Sequence, residues 1–241
     1  MRFAILLLTV ALAAFAQPAG ASGFSDWGAI VVAGDHRAHD GSDSEVFDNG
    51  RRDIGEALQR IGFAPKNIVE FSTEPEKYSR PLKSDPVSIA DGLWDLSNRT
   101  TGGCLLYFTS HGSPDGVVIG DDMLSPKDVS RMVQNSCGAR PTVIVVSACF
   151  SGVFIPPLAG ANRFVLTAAR QDRTSFGCGQ ADRYTFFDEC FLSSVAVTHD
   201  LRDLAIEARR CVAVRERKEK MSPPSDPQAA IGDNSGSFPT W

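Results

Sequence analysis

Cys149 and His111 are the two residues whose types and spacing point to chemistry together. A thiol reacts as its thiolate, and a free cysteine with a pKa near 8.5 is mostly protonated at neutral pH, so it needs a base. An imidazole supplies that base and later protonates a leaving amine. Each residue closes an apolar run. His111 ends Leu105-Leu106-Tyr107-Phe108-Thr109-Ser110 and is followed by Gly112 and Ser113, while Cys149 ends Val143-Ile144-Val145-Val146-Ser147-Ala148 and is followed by Phe150, Ser151 and Gly152. Alone, either reads as an ordinary residue at a strand end. Together they lie 38 positions apart, and one right-handed crossover with an internal helix takes roughly 30 residues or more. Such a crossover makes the two strands parallel, so their tips fall at one end of the sheet. The backbone N–H groups of Gly112 and Cys149 are then expected to hold the oxyanion of a tetrahedral intermediate.

The elements that must position these residues are legible as alternating runs. Residues 29–33, 68–71, 104–108, 143–146 and 164–166 are short, apolar on both alternate faces, and rich in β-branched or aromatic side chains. That pattern fits strands covered on both sides. Helices are expected between them. Ile54, Leu58 and Ile61 make one apolar stripe over 53–62; Asp85-Pro86 and Ser125-Pro126-Lys127-Asp128 are helix start signals; 184–199 and 200–220 read as two more helices. The alternation predicts an α/β sandwich with a mainly parallel sheet, whose ligands bind beyond the strands' carboxyl ends. Residues 228–231 are expected as a last edge strand and 232–241 as a mobile tail.

Composition narrows the function classes. The net charge is −5, which provides no field for nucleic acid. The basic run Arg209 to Lys220 contains Glu216 and Glu219 and reads as a solvated helix face. Arg2 followed by the apolar stretch 3–14 and two A-x-A patterns predicts a signal peptide over 1–21, hence an exported (periplasmic or secreted) protein whose mature chain does not insert stably in a membrane. The predicted domain then covers 22–231. Export permits disulfides. Of the six cysteines, Cys149 must stay free to react, which leaves at least one other thiol unpaired. His36 and His39 sit among Asp35, Asp40 and Asp43, but their spacing matches no recognised metal site, so neither a metal nor another cofactor is expected. The sequence carries no signal for an oligomeric state.

Apolar block–His–Gly, spacer, apolar block–Ala–Cys resembles the caspase-like clan of cysteine peptidases. The stretch Tyr107 to Ser113 is particularly similar to the legumain family, peptidase family C13, which includes the catalytic subunit of the GPI transamidase. Val31-Val32-Ala33-Gly34 resembles that family's first strand, and Thr167-Ala168-Ala169 with Ser175-Phe176-Gly177-Cys178 its segment after the nucleophile. The resemblance implies a three-layer α/β/α sandwich of the caspase-like type around a mainly parallel six-stranded sheet. It carries the dyad onto His111 and Cys149 and an oxyanion donor onto Gly112. It also implies a substrate pocket, for which Asn49, Arg51, Ser147 and Asp188 are the candidates; an arginine there asks for a polar or acidic substrate side chain. Two departures bear on specificity: Ser110 stands where the family has Asp before its histidine, and Ser147 where it has the Glu that shapes an asparagine pocket.

The function expected is an exported cysteine endopeptidase acting on peptide or protein substrates through a thioacyl-enzyme. A transpeptidase or transamidase would use the same intermediate with an amine as acceptor. A non-catalytic caspase-like binding module, and a metal-dependent hydrolase built on His36 and His39, are the readings from other classes.

Overall fold

The three central strands, at residues 28–33, 104–109 and 142–147, are largely apolar on both faces, and the fold buries both. The computed structural model describes residues 23–79 and 81–241, so the predicted signal peptide lies outside the described residues. In chain order the elements are β1 (Gly28–Ala33), α1 (Val46–Arg60), β2 (Ile68–Ser72), β3 (Leu82–Lys83), α2 (Pro86–Arg99), β4 (Cys104–Thr109), β5 (Gly112–Ser113), β6 (Gly116–Ile119), β7 (Asp122–Leu124), α3 (Pro126–Ser136), β8 (Thr142–Ser147), α4 (Ile155–Leu158), β9 (Arg163–Thr167), α5 (Phe186–Val195), α6 (Leu201–Glu219) and β10 (Gln228–Ile231).

The main sheet runs β10-β9-β8-β4-β1-β2-β3. All its pairings are parallel except β10 with β9. It has seven strands where six were expected. The extra one, β3, is two residues long and exposed, too short to leave a periodic signal. Alternate residues of the strands enter opposite cores. Ala29, Val31, Leu105, Tyr107, Val143 and Val145 face α1, α5 and α6 through Ile54, Leu58, Phe187, Phe191 and Leu204. Ile30, Val32, Leu106, Phe108, Ile144 and Val146 face α2, α3 and α4 through Ile89, Leu93, Val129, Val133 and Leu158. This is the period-two pattern of a sheet between two helical layers.

The start signals act as read. The Asp85 carboxylate accepts from the Val87 and Ser88 amides with Pro86 in the first turn. Ser125 and Asp128 form a reciprocal capping box. Helix α1 begins seven residues earlier than its stripe suggested, at Val46, and takes Asn49, Gly50 and Arg51 into its first turns. Gly50 is required there: a Cβ would lie 2.7 Å from Asp188 Oδ2. The 232–241 segment, expected as a mobile tail, lies against the domain. Phe238 and Trp241 pack on the core that contains Phe24, Trp27 and Phe63, and the Trp241 amide donates to the His199 carbonyl at 2.9 Å. Two aromatic side chains gain more by leaving water than a solvated tail would.

Two disulfides form, Cys104–Cys137 between β4 and the end of α3, and Cys190–Cys211 between α5 and α6. Cys149 and Cys178 remain free. The expectation of a second unpaired thiol beside Cys149 therefore holds.

Candidate active site

Strands β4 and β8 are parallel neighbours in a register that pairs Cys104 with Thr142 and Thr109 with Ser147. His111 and Cys149 each lie two residues past that last pair, so the same offset carries both to one edge of the sheet. The Ser110 amide continues the ladder to the Ser147 carbonyl at 3.1 Å. Beyond it the chains turn apart. Phe150 takes a left-handed conformation (φ 57°), uncommon for a residue with a side chain, and turns the chain sharply after Cys149. His111 leads into a three-stranded sheet, β5-β6-β7, that periodicity did not reveal because its strands are two to four residues long. The Val118 amide donates to the His111 carbonyl at 3.0 Å.

Gly112 brings the two tips into contact. A Cβ there would stand 2.4 Å from the Cys149 carbonyl oxygen, 2.9 Å from the Ala148 Cβ and 3.3 Å from the Cys149 nitrogen. Only glycine lets the two backbones approach this closely. Replacing it should push the Cys149 segment away. Gly112→Ala is expected to cost about 100-fold in kcat, the size of effect that an ångström of misplacement produces, with folding retained by circular dichroism. A Gly112→Ala protein with undiminished kcat would show that the close approach is incidental.

The His111 ring is held on two sides. Its Nε2 lies 2.9 Å from the Arg37 carbonyl oxygen, which only accepts, so Nε2 carries the proton and Nδ1 is left as the basic nitrogen. The Phe47 ring meets it edge to face with centroids 5.0 Å apart. Arg37 is fixed in turn by Asp35, whose buried carboxylate takes the amides of His36 and Arg37 and the Arg37 side chain. By residue type this loop suggests only metal binding. Its position right after β1, which adjoins β4, is the signal that places it beside His111. His36 instead contacts Thr73 Oγ1 at 3.3 Å. Among the described residues no group of three or more His, Cys, Asp or Glu side chains is arranged to hold a metal ion.

His111 and Cys149 line one open cleft of about 560 Å³, with Ser175, Phe176, Cys178 and Phe186 among its walls. The Ser175 amide donates to Cys149 Sγ at 3.3 Å. The second thiol, Cys178, lies in the same cleft and was not singled out as a site residue. Burial, with a smaller contribution from Cys149, pushes its pKa up to about 11. It therefore stays protonated at neutral pH. Limiting iodoacetamide at mildly acidic pH is expected to label Cys149 ahead of Cys178, read by peptide mass mapping. Labelling of Cys178 first would contradict this.

The four substrate-pocket candidates are not brought together in that cleft. Arg51 is 2% exposed and its guanidinium is committed to Asp48 at 2.7 Å and to Glu70. Such a paired cation has no free charge for an acidic substrate side chain. Asn49 accepts from Arg52 at 2.9 Å and faces a smaller neighbouring cavity, lined also by Asp43 and Glu45, that meets the cleft at Asp182. Ser147 and Asp188 are buried beneath the strand tips. Ser147 Oγ meets Thr185 Oγ1 at 3.1 Å. Asp188 accepts from Tyr107 at 2.8 Å and Thr109 at 2.5 Å, while its own amide donates to Thr185 Oγ1. Burial raises the Asp188 pKa; hydrogen bonds from Thr109, Ser147, Tyr107 and Thr185 act against the shift without cancelling it.

Comparison with known proteins is consistent with this geometry. A model of the peptidase C13 family matches residues 59–217, more than half of the chain and a stretch that includes His111, Gly112 and Cys149. The chain belongs to the peptidase C13 family. The crystal structure of caspase-1 from Spodoptera frugiperda superposes with a TM-score of 0.63 at 12% identity, covering 88% of each chain. That likeness establishes the caspase-like fold. No curated protein matches the chain. Within this C13-family chain the two departures have a shared structural consequence. Ser110 and Ser147 both turn inward, Ser110 donating to the Val118 carbonyl at 2.7 Å, so neither hydroxyl contributes to the cleft.

Proposed function

We propose that this cysteine-peptidase-family chain is an exported endopeptidase with Cys149 as nucleophile and His111 as general base. The observation that carries the reading is the common offset of the two residues past the Thr109–Ser147 pair, with Gly112 packed on the Cys149 backbone. His111 Nδ1 takes the thiol proton, and the thiolate attacks the scissile carbonyl carbon. The resulting oxyanion accepts from the amides of Gly112 and Cys149, and collapse expels the amine, which takes the proton back from His111. Water then gives its proton to His111, attacks the thioester and releases the acid, while the thiolate leaves and is reprotonated. An amine in place of water would give transpeptidation.

A positional-scanning peptide library tests this directly. Cleavage that iodoacetamide abolishes and EDTA leaves untouched is the expected result; the reverse sensitivity would favour the metal-dependent alternative, and no turnover at all the binding module. Two disulfides support an oxidising destination. Mature protein recovered from the periplasm or medium is expected to start at Ser22, and an intact N-terminus there would refute processing after Ala21.

A further inference from the structure

The basic stretch of α6 does not end as a plain solvated face. Arg209, Arg210 and Arg217 are joined by Arg170 and Arg173 from the loop after β9, and the five line one cavity of about 660 Å³. Some of this charge is answered locally. Asp172 pairs with Arg170 and Arg173, Asp226 lies 3.7 Å from Arg170, and Glu207 holds Arg210. Arg209 and Arg217 have no side-chain partner among the described residues, and both are exposed. The remaining walls are largely apolar, Ile206, Ala213, Met221, Pro224 and Pro227, and include the buried Glu216 carboxylate, which takes the Ser225 amide at 3.0 Å; Ile206 is 59% exposed. In a chain of net charge −5, two unanswered guanidinium groups over an apolar floor form a distinct surface.

The cavity adjoins the cleft of Cys149. Met221 lines both. Thr174, next to Arg173, lines the cleft, and the Arg173 carbonyl accepts from the Phe150 amide at 2.7 Å, directly behind the nucleophile. A chain lying in the cleft therefore has a continuous route over Met221 to the arginines. An occupant must offer anionic groups that suit planar guanidinium donors, together with apolar side chains. A polypeptide with acidic and aliphatic residues does so. Nucleic acid suits the site less, because no aromatic side chain lines the cavity to stack a base.

We propose that this arginine-lined cavity is a second substrate-binding site that recognises acidic residues of the polypeptide being cleaved. The proposal rests on the peptidase reading, and its test is chosen to need no turnover. A fluorescein-labelled peptide alternating glutamate and leucine, and its glutamine counterpart, are titrated by anisotropy against the full chain carrying Cys149→Ala. The acidic peptide is expected to bind about tenfold more tightly, with the advantage shrinking as salt is raised. Arg209→Ala with Arg217→Ala should abolish the difference without altering the circular dichroism spectrum, and the paired lysine substitutions should retain part of it. Equal affinity for both peptides, or an unaffected alanine double variant, would overturn the proposal. So would tighter binding of a single-stranded oligonucleotide or of phosphatidylserine vesicles at the same arginines. Arginine-dependent binding in a protein that cleaves nothing would defeat the role of Cys149 and His111 alone; cleavage without arginine-dependent affinity would defeat the second site alone.

Discussion

Cys149→Ala is expected to leave no measurable peptide cleavage, and His111→Ala to lower kcat by about a thousandfold or more, with both proteins folded. The asymmetry follows from their roles. Without the sulfur no thioacyl intermediate forms, whereas without the imidazole a small thiolate fraction still attacks but the leaving amine goes unprotonated; general acid–base catalysis contributes about 10²–10⁴-fold. Because the two act as one unit, the double variant should be no slower than Cys149→Ala alone. Both side chains are only half-buried at the sheet edge, so truncation opens little core, and thermal midpoints should move by a few degrees at most. Peptide-cleavage kinetics for each variant, alongside thermal unfolding followed by circular dichroism, read both parts. Residual turnover in Cys149→Ala matching the wild type would place the chemistry elsewhere.

Asp188 should dominate stability rather than chemistry. Asp188→Ala removes the acceptor that serves Tyr107 and Thr109 in the buried space between α1, α5 and the ends of β4 and β8. Two buried hydroxyls lose their partner at about 1–3 kcal/mol each, so a loss of about 3 kcal/mol in urea unfolding is expected. Asp188→Asn keeps the shape and isolates the charge. The unfolded carboxyl titrates near 3.9, and burial raises the folded value above it. Below about pH 4 both states are protonated and the wild type carries no ionisation penalty. As pH rises from there towards the folded pKa, the unfolded state releases its proton first, and the wild type loses stability. The Asn variant has no such proton, so it should gain on the wild type across that window. Unfolding midpoints of both proteins from pH 4 to pH 8 would show it, and a wild-type advantage that grows with pH would mean that the carboxylate is stabilised in its ionised form.

The pocket candidates show where inference from a single chain weakens. Asn49, Arg51, Ser147 and Asp188 were chosen for residue type and resemblance, which carry no information on side-chain direction. Helix α1 turned Arg51 inward onto Asp48 and Glu70. The strand pleat turned Ser147 towards α5 and Thr185. Cys178 and the Arg37 carbonyl were hidden for the complementary reason: the segment that carries Cys178 resembles the family's without marking its thiol as a wall of the cleft, and a backbone oxygen has no sequence signature. The parallel course of β4 and β8 to one edge, by contrast, was readable because two apolar runs, each ending just before a chemical residue and joined by one crossover, leave few ways to lay the strands.

By itself, then, the order of residues determined the layers, the parallel strands and the starts of α2 and α3, and it carried His111 and Cys149 to one edge of the sheet, since hydrophobic period and chain connectivity are local properties that a linear string contains. Tertiary structure alone decided which charges remained free. Arg51 found two carboxylates, one of them nineteen positions away on β2, and was neutralised. Arg209 and Arg217 found none and met Arg170 and Arg173 across a shared cavity. Pairing of charges depends on distances of a few ångströms between elements far apart in the chain, and those distances exist only once the sheet and its helices have packed.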